Sequence, residues 1–88
     1  MGVIKVKTTD ELFEELGYEK IVDNEKCIIY EKCLHGYAIR TQIHFNKVRH
    51  TVYGTEIDED YEFNEPLAFS VEELQAIYKK SEELGWVK

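Results

Sequence analysis

The sequence predicts a single α+β domain: a short N-terminal helix, a four-stranded antiparallel meander, and a C-terminal amphipathic helix packed on one sheet face. Three observations carry that prediction. Tyr37, Ile39, Thr41, Ile43 and Phe45 alternate with Ala38, Arg40, Gln42 and His44, the period of a strand with one buried face. Thr8 with Glu11 and Ser70 with Glu73 form capping boxes, each followed by apolar residues at helical spacing and then by Leu-Gly. Finally, 88 residues of 43% apolar content supply one compact core and not two, so residues 1–88 read as one domain.

Residues 1–7 are either a brief edge strand through Val3, Ile4 and Val6 or a disordered lead-in. The first helix starts at Thr8, points Leu12, Phe13 and Leu16 to one side, and stops at Gly17. Asp10, Glu11, Glu14 and Glu15 make its polar face, with the earliest of these carboxylates near the positive end of the helix. Tyr18 to Val22 reads as a short strand, Asp23-Asn24-Glu25 as a turn, and Lys26 to Leu34 as a second strand with apolar residues on both faces. His35-Gly36 leads into a hairpin over Tyr37–Tyr53, with Asn46-Lys47 as a two-residue turn that sets Val48, His50 and Val52 beside Phe45, Ile43 and Thr41. Gly54 ends the meander, and residues 55–66 read as an acidic loop tacked down by Ile57, Tyr61 and Phe63. The last helix spans Ser70 to Leu84. Val71, Leu74, Ile77, Tyr78 and Leu84 form one stripe, and the odd-numbered strand row receives it through Leu74, Ile77 and Tyr78.

The net charge of −7 is carried by one part of the chain. Residues 1–54 hold eight acidic and eight basic groups, whereas residues 55–88 hold ten acidic and three basic. Such a protein repels phosphate backbones at long range, which disfavours general nucleic-acid binding. No stretch reaches the roughly 18 apolar residues of a membrane span, and the start Met-Gly-Val-Ile-Lys-Val-Lys lacks a signal-peptide core, so a cytoplasmic protein without membrane contact is expected. Cys27 and Cys33 then read as free thiols.

No constellation reads as catalytic or metal-binding, and no cofactor is expected. Asp58, Asp60 and Glu62 alternate as in a calcium loop, but Phe63 stands where that loop needs Gly and Phe69 where it needs Glu. Cys33, His35, His44 and His50 lack the paired spacing of structural zinc ligands, and the hairpin sends His44 and His50 to opposite faces. There is no phosphate-binding glycine loop and no nucleophile elbow. Two surfaces remain. The acidic one holds Glu56, Asp58, Glu59, Asp60 and Glu62 and suits a protein partner. The other is the polar hairpin face with Arg40, Gln42, His44, Arg49 and Tyr53, where His44 pairs with Arg49, Gln42 with Thr51, and Arg40 lies near Tyr53. It offers cations and a stacking ring to a nucleic acid.

The segments Asp10-Glu-Leu-Phe-Glu-Glu-Leu-Gly-Tyr-Glu-Lys20 and Val71-Glu-Glu-Leu-Gln-Ala-Ile-Tyr-Lys-Lys-Ser-Glu-Glu-Leu-Gly-Trp86 resemble small phage and prophage proteins of Gram-positive bacteria. The resemblance rests on two Leu-Gly helix ends, each followed by an aromatic residue. It implies a cytosolic accessory factor that binds a host or phage protein, and it assigns no catalytic residue. The expectation is therefore a non-enzymatic protein-binding module, with nucleic-acid binding as the alternative.

Overall fold

A computed structural model describes residues 7–34, 36, 39–58, 65–66 and 68–87. The elements are α1 (Thr9–Glu15), β1 (Glu19–Asp23), β2 (Cys27–Leu34), β3 (Ile39–Asn46), β4 (Thr51–Asp58), a two-residue β5 (Glu65–Pro66) and α2 (Val71–Glu83). The strands form one antiparallel sheet in sequence order. The α+β class and the four-stranded meander are as expected, with β5 added at the edge. Tyr37 and the lead-in Val3, Ile4 and Val6 lie outside the described residues.

Both helices begin and end where local chemistry dictates. Thr8 and Ser70 each accept a bond from the backbone N–H of the glutamate three residues on, and Glu11 and Glu73 bond back to the cap N–H. At the other end Gly17 (φ +93°) and Gly85 (φ +79°) take the left-handed conformation, which costs glycine least because it has no Cβ. The following N–H groups close the turn, Tyr18 N onto Phe13 O and Trp86 N onto Ser81 O, both at 2.9 Å. This wrap returns Tyr18 and Trp86 to the body.

Two strand predictions are corrected. The β3–β4 connection is a four-residue turn, Lys47 to His50, because Asn46 pairs with Thr51. The Asn46 side chain accepts from Val48 N and Arg49 N at 3.0 Å each, and His50 adopts φ 57°. The bend is thus built by the asparagine side chain rather than by a tight two-residue loop. The returning strand also runs through Gly54 to Asp58, so residues 55–58 are strand and not loop.

The core is aromatic. Phe13 stacks on Tyr30 with centroids 3.9 Å apart and meets Tyr18 and Phe45 edge-on at 6.1 Å. Ile28, Ile43 and Ala76 complete the buried set. Of the predicted docking of α2 through Leu74, Ile77 and Tyr78, Ile77 packs against the core as expected, whereas Leu74 and Tyr78 are exposed. Phe13 of α1 fills the centre of the sheet, and α2 turns Glu73, Ala76 and Lys80 inward.

These buried polar groups are partnered. The Tyr18 hydroxyl donates to Glu73, whose other oxygen accepts Ser70 N at 2.8 Å. Lys80 reaches Glu83 at 3.2 Å and Asp10 at 3.9 Å, and the Thr9 hydroxyl donates to Glu83. Asp10 also accepts from the Tyr30 hydroxyl at 2.6 Å and from Lys20 at 3.1 Å. The polar layer thus has two parts, Tyr18 with Glu73 and Ser70, and Asp10 with Tyr30, Lys20, Lys80, Glu83 and Thr9.

This layer sets the pH response. The Tyr30 hydroxyl, then Lys20 and Lys80, holds the Asp10 carboxyl below the usual carboxylate range. Burial pushes Glu73 up, but the Ser70 and Tyr18 bonds bring it below its ordinary value. Thr9 does the same for Glu83, and Lys47 for Asp23. A carboxylate with a depressed folded value stabilises fully above its unfolded pKa, and that contribution is lost as pH falls through the folded value. Urea midpoints should therefore stay level from neutrality to about pH 5 and fall steeply below about pH 4. A midpoint unchanged down to about pH 3 would contradict the layer. At the alkaline end, burial raises Tyr18 and Tyr30 above the ordinary phenol range, so stability is retained up to about pH 10 and lost above it.

Candidate protein-docking groove

The orientation of α2 packs Ile77 and Leu84 against the core and leaves the rest of its apolar stripe facing outward. At about 100° per residue, Val71, Leu74 and Tyr78 lie roughly opposite Glu73, Ala76 and Lys80. Their exposures of 67%, 50% and 54% are those of surface residues. Half-buried Ile77 borders the stripe on one side, and Leu12 and Leu16 of α1 face it across the helix pair. Together with Val87 they line an open groove of about 1070 Å³. Contiguous apolar surface of this kind marks an interaction site, unlike the exposed Ile21, Leu34, Val48 and Tyr53, which lie on the strands and the β3–β4 turn.

The rim is charged and mostly acidic. Among the described residues, Glu15, Glu72 and Glu82 stand along it against the single ammonium of Lys79. Glu15 is engaged by Lys7. Glu72 and Glu82 make no side-chain ion pair among the described residues, unlike Asp10, Asp23 and Glu83 in the buried layer and at its edge. The groove is thus an apolar floor with two uncompensated carboxylates beside it.

No protein family, curated protein or solved structure matches this chain. The geometry of its surfaces is what bears on function.

The sheet face away from the helices carries the residues expected to serve nucleic acid. Arg40, Gln42 and His44 share that face of β3, and Tyr53 stands beside His44 on β4. The pairings differ from those predicted: His44 faces Tyr53, Gln42 faces Thr55, and Arg40 faces Ile57. The His44 and Tyr53 rings stack at 4.6 Å. Arg49 lies apart, exposed in the turn. Glu31 sits amid the set, accepting from Gln42 Nε2 at 2.7 Å, while Gln42 Oε1 bonds the His44 ring at 2.9 Å. Burial lowers the His44 pKa and favours the neutral imidazole. The face therefore holds a carboxylate, a neutral ring pair and Arg40, which is poor in the cations that phosphate needs. His50 is on the other side, stacked at 4.9 Å on Trp86. Among the described residues no three metal-ligating side chains gather.

Of the acidic set, Glu56 and Asp58 are half-buried strand residues, opposite Thr41 and Ile39. Glu59, Asp60 and Glu62 lie outside the described residues, as do His35, Tyr61 and Phe63. No helix among the described residues is long and apolar enough to cross a membrane. Leu74 and Tyr78, expected in the core, are exposed in the groove, whereas Leu12 and Leu16 pack against the core as expected and also border the groove. No local signal marked this, because Glu73 and Lys80, buried here, are ordinary solvent-facing residues until the fold brings them their partners.

Proposed function

We propose that this chain is a non-enzymatic protein-binding module, and that the groove between α1 and α2 receives a helix of another protein. The observation that supports this most is the outward apolar stripe of Val71, Leu74 and Tyr78 on a helix anchored by its polar side. Helix-in-groove recognition uses such a floor, with anchors every third or fourth residue. The acidic character expected of the contact surface is supplied here by Glu72 and Glu82, nearer the groove than Glu56 or Asp58. A phage or host protein is the partner class that the sequence resemblance suggests, acting as part of an accessory function in the cytoplasm. The nucleic-acid alternative draws less support, because Glu31 occupies the centre of the face that would hold the phosphates.

Peptides selected on the immobilised chain from a random displayed library should include helices whose binding disappears with Leu74→Asp and survives Tyr53→Ala. No enrichment, or enrichment indifferent to Leu74→Asp, sinks the reading. The same substitution separates groove from core. Leu74→Asp and Tyr78→Asp should each move stability by no more than about 0.5 kcal/mol, as surface changes do. Loss of several kcal/mol in a urea melt would return these residues to the core. An oligonucleotide titration at low ionic strength tests the alternative, for which saturable binding that weakens with salt would be required.

A further inference from the structure

We infer that the segment received by this groove is a cationic amphipathic helix, an apolar stripe flanked by Lys or Arg, rather than a second copy of this chain; this inference rests on the docking reading above. The charge of the rim carries it. Among the described residues, Glu72 and Glu82 stand beside the apolar floor with no ion pair, and Lys79 is the one opposing charge lining the groove. An apolar helix seated there would exclude water from the floor and lower the local dielectric around the rim. Uncompensated carboxylates become costly under those conditions, and a facing cation offsets that cost. A neutral helix leaves them unpaired, and an anionic one adds repulsion.

The same reasoning disfavours self-association. Two copies meeting groove to groove would bring two acidic rims together, each on a chain of net charge −7, with a Lys79 from each side as the offset. The dimensions suit a short helix. The 13 residues of α2 extend about 20 Å, which matches roughly three to four turns of a partner. Lys79 refines the match: the partner position facing it favours an acidic or neutral side chain while its neighbours are basic.

Three synthetic helical peptides test this, sharing one leucine stripe and differing only in Lys/Arg, Gln or Glu flanks. Each is titrated into the full chain, with binding followed by calorimetry and by the resonances of Leu74 and Tyr78. The cationic peptide should bind at least about tenfold tighter than the neutral one, the anionic peptide weakest, with the gap narrowing as salt rises. The double substitution Glu72→Gln/Glu82→Gln should remove most of the cationic advantage and leave the neutral peptide unchanged, whereas Lys79→Glu should strengthen cationic binding. Equal affinity for all three peptides overturns the charge inference and leaves the docking reading intact. The same holds if displayed peptides that depend on Leu74 prove neutral or acidic. If no peptide of either kind depends on Leu74, both readings fall. A dimer in light scattering that Leu74→Asp dissolves would make the occupant a second copy and overturn the inference. So would protection of Leu74 and Tyr78 from hydroxyl-radical labelling in the free chain, which would mean that the chain covers its own groove.

Discussion

Phe13→Ala should cost about 3–5 kcal/mol, the range for emptying a fully buried aromatic site. Phe13 has no exposed surface and is the ring that Tyr30, Tyr18 and Phe45 all touch. Its loss removes a stacked contact and two edge contacts at once, each worth about 0.5–1.5 kcal/mol beyond the area it buries. The cavity would lie between α1 and the centre of β2 and β3, where the backbones on both sides are held by ladders and caps and cannot collapse freely. A domain this small has a total stability toward the low end of about 5–15 kcal/mol, so the variant should be largely unfolded in mild urea. Phe13→Leu should retain the fold at a cost of about 1–2 kcal/mol, since it fills most of the volume without the ring contacts. Chemical denaturation followed by near-ultraviolet circular dichroism reads both. A Phe13→Ala penalty under about 1 kcal/mol would show that α1 does not close the core.

Glu73→Ala is the second large effect, expected at about 2–4 kcal/mol. Glu73 is only 8% exposed and holds two donors, Ser70 N at the helix start and the hydroxyl of Tyr18, itself 3% exposed. Removing the carboxylate undoes half of the capping box, about 1 kcal/mol, and strips the buried phenol of its acceptor, about 1–3 kcal/mol. Tyr18→Phe has the converse defect, because it leaves a buried carboxylate with the Ser70 bonds alone. The double variant Glu73→Ala/Tyr18→Phe should therefore be less destabilised than the sum of the singles by about 1 kcal/mol or more. Strict additivity would mean that the two groups do not share a bond. Because Glu73 fixes which way α2 faces, Glu73→Ala should also lower helical peptide binding in the groove, while Leu74→Asp lowers binding without lowering stability.

What was legible in the sequence was local. Thr8 with Glu11 and Ser70 with Glu73 are bonded as their spacing implies, and the two Leu-Gly ends close as left-handed caps with Tyr18 and Trp86 folding back. Each of these devices is complete within about six residues, so neighbouring side chains settle it before any tertiary contact forms. The alternation over Ile39–Phe45 put Thr41, Ile43 and Phe45 on the buried face for the same reason. The turn at Asn46 was less determinate, because an asparagine serves a two-residue loop and a side-chain-capped longer bend equally well. The register followed the bend.

The sequence by itself thus determined the helices, their ends, the strand faces and the acidic balance of the C-terminal part. Only the tertiary structure decided which side of α2 is the inside. Periodicity marks an apolar stripe but cannot say whether the core or a partner will cover it. Here Phe13 fills the centre, and α2 meets it with Ala76, flanked by half-buried Ile77 and Leu84. Bonds between Tyr18 and Glu73, 55 positions apart, and between Thr9 and Glu83, 74 apart, then held the polar side of the helix inward. Such pairings have no local signature, because each half looks like an ordinary surface residue until the fold brings the other half to it. The groove is the consequence: an apolar stripe freed from the core because polar pairs at long range satisfied the helix in its place.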